Sequence, residues 1–219
     1  MENRLIDKLN RKFRKYSIRN LMTIIVFGMA FVFVADLFIL PASGYTLSYW
    51  LAFDRAALFQ GQIWRLVSFI FLPPESSIVF IIFSLYFYWL AGNSLELEWG
   101  PFRFNLFYFV GIIGTVIAGL ITGYATNSYV NMSLFIAFAI LFPDHELRIF
   151  FFFPVKIKYI AIVDVAMYLV ALIIVPWQGK IALIVSLANL LLFFWKDAVA
   201  HIKQAKRRRE FKKNWDNYR

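Results

Sequence analysis

Six stretches of this chain are apolar almost throughout, with no polar face left over at the helical or the strand period. They cover Leu21–Leu40, Ile78–Gly92, Phe104–Gly123, Asn127–Phe142, Tyr159–Val175 and Ile181–Trp195. A helix that crosses lipid needs about 20 such residues, because the hydrocarbon is ~30 Å thick and each residue rises ~1.5 Å. The pattern predicts an all-α membrane protein of six transmembrane helices, the fourth and sixth of them short. Pro41 and Pro176 are expected to close the first and fifth. The first stretch is longer than the ~7–15 residues of a secretory h-region and reads as a retained span. Before it, Leu5, Leu9, Phe13 and Tyr16 recur at helical spacing among basic residues, so residues 1–18 read as a basic amphipathic helix. Residues 19–196 form the membrane domain, and 197–219 a basic tail.

Charge gives the spans an orientation. With the N-terminus inside, twenty of the 23 Lys and Arg residues fall on the inner side. Only Arg55, Arg65 and Lys180 fall outside. That bias places both termini in the cytoplasm and favours an even number of crossings, and a plasma-membrane location is expected. The net charge of +10 is concentrated at the two ends. The Lys206-Arg207-Arg208-Arg209 run lies just past a span, so it reads as contact with anionic lipid headgroups and not with nucleic acid.

Composition removes several chemistries. Of 219 residues 61% are hydrophobic and 16% charged, and Phe alone occurs 26 times. A soluble domain carries about a quarter charged residues. There is no cysteine, so disulfides, thiolate metal sites and a cysteine nucleophile are excluded. The two histidines are His145 and His201. No metal site and no cofactor is expected.

Two segments carry a family resemblance. The long, weakly polar connection after the first span contains Gln62-Ile63-Trp64-Arg65-Leu66. After the second span comes Gly92-Asn93-Ser94-Leu95-Glu96-Leu97-Glu98-Trp99-Gly100-Pro101-Phe102-Arg103-Phe104. The Trp64-Arg65 pair, and the spacing of Glu96, Gly100, Arg103 and Phe104, resemble rhomboid intramembrane proteases. The resemblance covers roughly residues 20–195 and implies a six-helix rhomboid-like bundle. Glu96 and Arg103 flank the Gly-Pro connection and are expected to act as scaffold, through an ion pair.

The resemblance also implies a catalytic pattern, and this sequence departs from it. Rhomboid proteases place a nucleophilic Ser at the start of the fourth span, in Gly-x-Ser-Gly, about 15 residues before Phe-Pro. Counting back from Phe142-Pro143 reaches Ser128, in the context Thr126-Asn127-Ser128-Tyr129, with neither glycine. The general-base His of the sixth span is expected at Ser186, in Ser186-Leu187-Ala188-Asn189. The His and Asn that assist from the second span fall at Phe80 and Ser84. His145 and His201 lie on the inner side, a membrane away from Ser128. Proton transfer needs ~3 Å. Lys180 is on the correct side, but no spacing pairs it with Ser128. Ser128 then reads as an N-cap or interhelical hydrogen-bond donor.

Polar residues inside the spans complete the picture: Ser84, Asn131 and Ser133, Asp164, Ser186 and Asn189. Asp164 lies about six residues into the fifth span, ~9 Å from its inner end. Asn189 has a similar depth on the sixth, so the two could hydrogen-bond. An ionisable group at such depth is costly and marks function by default. Asp36, near the outer end of the first span, is more easily hydrated.

The expected function is that of a catalytically inactive rhomboid-like protein, similar to rhomboid pseudoproteases and Derlins. Its partners would be the bilayer and the transmembrane segments of client proteins. The alternatives are a noncanonical serine intramembrane protease using Ser128 and a small transporter organised around Asp164.

Overall fold

The structure is a computed structural model that describes residues 15, 17–43, 45–74, 77–123, 125–149 and 153–194. Most of the 1–18 segment, the 197–219 tail and His201 therefore lie outside the described residues.

Helix α1 runs from Leu21 to Ser43. The connection after it folds into three short helices, α2 (Leu47–Leu51), α3 (Arg55–Phe59) and α4 (Arg65–Ser68), and a 3-10 turn at Phe69–Phe71. Then follow α5 (Ile78–Trp99), α6 (Pro101–Thr122) and α7 (Ser128–Leu141). A hairpin of β1 (Glu146–Ile149) and β2 (Phe153–Lys156) leads into α8 (Ile157–Ile174). The last described helix is α9 (Trp177–Phe194). By length and apolarity α1, α5, α6, α8 and α9 can each cross a membrane. Helix α7 has 14 residues, ~21 Å, and is the shorter sixth member of the bundle. The chain is an integral, multi-pass, all-α membrane protein.

Several boundaries differ from the apolar pattern. Helix α1 passes through Pro41, which sits in its last turn and removes one hydrogen bond without ending the helix. Helix α5 continues two turns past Gly92, because Leu95 and Glu96 are buried there against the bundle. The Leu-Glu motif is thus helical. Gly100 alone joins α5 to α6, with φ +80°, a backbone state that a side chain disfavours. Pro101 follows at the first helical position, where it has no bond to lose. Helix α9 begins four residues earlier than expected, and Trp195 is outside the described residues. The hairpin was not legible as strands.

Helices α1, α5, α6 and α7 form the densest part. Gly92 of α5 lies so close to α1 that a Cβ there would meet Met22 Cγ at 2.3 Å. Gly111 of α6 faces Asn189 of α9 in the same way, at 3.0 Å. Without a hydrophobic force between helices in lipid, such close backbone approach supplies the packing. The α2–α4 region caps one end of the bundle, and the hairpin lies at the other.

Candidate functional site: an intramembrane cavity beside Ser128

The two family motifs are built as scaffold. Arg65 is 4% exposed. It donates from Nη1 to the carbonyls of Tyr49 (2.9 Å) and Ala52, and from Nε to Gln62 Oε1 (2.7 Å). It thereby satisfies carbonyls at the end of α2 that the helix itself leaves unpaired. Trp64 Nε1 donates to the Trp50 carbonyl at 3.2 Å. Asp36 is not left to water: it accepts the Leu47 and Ser48 N–H groups and the Ser48 hydroxyl, capping α2.

The expected Glu96–Arg103 ion pair does not form. Glu96 Oε1 accepts the backbone N–H of Asn20 at 2.8 Å, placing an acidic group at the N-terminus of α1. Asn20 has φ +54°, which asparagine tolerates better than most residues. The Arg103 guanidinium lies 5.2 Å from the centroid of the Trp99 ring instead. Two 22-residue helices joined by one glycine leave these side chains pointing to different neighbours.

Ser128 is the first residue of α7 and is exposed. It is not the N-cap, a position Asn127 holds. The Asn127 side chain ties α7 to the 3-10 turn by donating to the carbonyls of Ile70 (3.2 Å) and Leu72 (2.8 Å). The Ser128 hydroxyl pairs with Thr126 Oγ1 at 3.0 Å. Ser186 donates to the Tyr129 carbonyl at 2.7 Å and lies 3.3 Å from the Tyr168 hydroxyl. The fold thus sets Ser186 against the residue that follows Ser128.

His145 is at the other end of α7. Its ring packs edge-on against Phe138, 5.7 Å between centroids. Phe138 is ten residues, ~15 Å, along the helix from Ser128. Among the described residues, no imidazole, carboxylate or lysine hydrogen-bonds the Ser128 hydroxyl. Beside His145, Lys158 bonds Asp144 at 2.8 Å, and that hydrogen bond holds the Asp144 carboxyl below the usual carboxylate range.

The intramembrane polar residues come together in part. Ser84 of α5, Ser128 and Asn131 of α7, and Asp164 of α8 line one cavity of about 410 Å³. It extends from Pro74 near the α2–α4 cap to Leu147 of the hairpin. Spacing explains the convergence. Ser128, Asn131, Met132 and Phe135 share one face of α7, and Ile160 and Asp164 one face of α8. Helices α5 and α8 both pack on α7 but scarcely on each other. Asn131 accepts the Tyr108 hydroxyl at 3.3 Å, while its Nδ2 has no partner among the described residues. Asp164 Oδ2 is likewise buried and unpartnered.

Asn189 does not join them. It donates to the Phe107 carbonyl at 3.3 Å, so the expected Asp164–Asn189 bond is absent. Asn189 faces α6 across Gly111, whereas Asp164 lines the cavity beside α7. Two features escaped the sequence reading: the aromatic wall from Phe83, Phe87, Tyr88 and Phe135, and the interface between Gly111 and Asn189. The signal for the latter was small residues recurring along α6, at Gly111, Gly114, Thr115, Ala118 and Gly119.

A family model of the Rhomboid domain matches residues 60–200. No curated protein and no solved structure matches the chain. The matched region is well over half of the sequence and takes in Trp64, Arg65, Glu96, Gly100, Arg103, Ser128, Ser186 and all helices from α4 to α9; the chain belongs to the rhomboid family.

Proposed function

We propose that this protein is a catalytically inactive rhomboid-family protein that holds the transmembrane segments of other membrane proteins. The observation that carries this reading is the cavity lined by α5, α7 and α8, which holds polar atoms that have no partner among the described residues. A helix already in the bilayer reaches it sideways. Among the described residues the Ser128 hydroxyl bonds Thr126 and no base, and a serine with no base is a poor nucleophile. Ser186 and Phe80 stand where the family resemblance implies histidines. Both termini are cytoplasmic in this reading, which follows the Lys and Arg bias, and the membrane is the plasma membrane.

Full-length protein carrying Ser128→Ala should co-purify the same membrane proteins as the wild type. An intact substrate accumulating in cells that hold only the variant contradicts the reading. The absence of cysteine makes single-cysteine labelling a direct test of orientation: a cysteine at Ser17 should react only after the membrane is permeabilised.

A further inference from the structure

Among the described residues, the cavity beside Ser128 is lined by one carboxylate, Asp164, and by no basic residue. Asp164 lies seven residues past the start of α8, ~10 Å along the helix. A carboxylate at that depth is expensive unless a cation or water meets it. Among the described residues it has no counter-ion. The ion pairs there join Lys156 and Lys158 to Asp144, and Arg103 rests on Trp99. Asn131 is 1% exposed and lines the same cavity with an amide nitrogen that also lacks a partner. Around these two, Phe83, Phe87, Tyr88 and Phe135 present aromatic surface. An acidic oxygen set among aromatic rings suits a cationic nitrogen, which gains from both the charge and the ring quadrupoles. The hydroxyls of Ser84 and Ser128 add acceptors for its remaining N–H groups. The volume, about 410 Å³, falls within the ~300–1,000 Å³ of ordinary ligand sites.

We propose that this cavity receives the Lys or Arg side chain of a client transmembrane segment, with Asp164 as its counter-ion. The assignment rests on the client-binding reading above and names the feature that a client must carry. The occupant is lipid-borne in this proposal, because α5 and α8 scarcely pack on each other and leave room for a segment in the bilayer to enter between them. A basic residue inside a bilayer is itself costly, so both partners gain when they meet. Asn131 then offers its free donor to a carbonyl of the same segment.

The test uses full-length protein in proteoliposomes and two host segments, polyleucine helices that carry either Lys or Leu at one inner-half position. Photo-crosslinking measures capture. The Lys host should be captured about tenfold better than the Leu host, the scale of one ~1.4 kcal/mol interaction. Asp164→Asn should reduce capture of the Lys host to the Leu level, and Asp164→Glu should retain the preference. Moving the Lys along the host should give a maximum where it reaches the depth of Asp164. Equal capture of both hosts, unchanged in Asp164→Asn, overturns the cation assignment and leaves client binding standing. Capture of neither host by well-folded wild type overturns client binding and this inference with it. Octylammonium bound in an Asp164-dependent way, with neither host captured, also overturns it and assigns the cavity to a free amine.

Discussion

Helices α6 and α8 have similar hydropathy and opposite surroundings. Half of the α6 span is buried in the protein, against 11% of the α8 span. Helix α6 is ringed by close contacts: Gly111 and Gly114 toward α9, and Gly119 against Phe53 and Ala125. Helix α8 buries Ile157 and Tyr168 and turns Ile162, Val163, Met167, Leu169, Val170, Ile173 and Ile174 outward. Yet α8 carries Asp164, the one acidic residue of the cavity among the described residues. The densely packed helices fix a shape, while the sparsely packed one brings a costly group to an open side. Marginal packing of α8 is what the proposed client binding requires.

Crowding the dense region should give the largest stability change. Gly92→Val forces a side chain into Met22 and should cost about 3 kcal/mol, measured by unfolding in micelles. Ile162→Ala on the outward face of α8 should change stability by about 0.5 kcal/mol or less. Equal losses at the two sites would erase the contrast between the regions. Next in size, Asp164→Leu should stabilise the protein by about 1 kcal/mol, because an unpartnered polar atom leaves the membrane interior. The same variant should lose client capture. A loss of stability instead would show that Asp164 is a structural anchor.

The smallest effect concerns the hairpin end. The hydrogen bond from Lys158 lowers the Asp144 pKa below its unfolded value. Its contribution is therefore present above the ordinary carboxylate pKa and fades as pH falls through the lowered one. Both partners are well exposed, so Asp144→Asn should leave the unfolding midpoint unchanged at neutral pH. A clear drop would mean that the hairpin braces α8 more firmly than its exposure suggests.

Much of the fold was legible because lipid demands long apolar runs, and α1 and α6 follow that demand closely. What sequence could not supply was direction around each helix. Glu96 was recognised as scaffold, but its partner, the Asn20 N–H, is 76 residues away and belongs to a backbone group that no side-chain pattern announces. Asp164 and Asn189 were matched by depth, and the rotation of α8 and α9 set them apart. Ser84, Ser128, Asn131 and Asp164 were each visible singly as polar residues in apolar runs. Their meeting in one cavity depends on how α5 and α8 flank α7. The α2–α4 cap and the hairpin were missed because elements of four or five residues have too few positions to show a period.

The central proposal is that Ser128 lacks a catalytic base, and a fluorophosphonate probe on full-length protein in native membranes tests it most directly. Wild type should label no more than Ser128→Ala. Labelling of wild type that disappears in Ser128→Ala would contradict the account and make the protein a working serine hydrolase of the membrane.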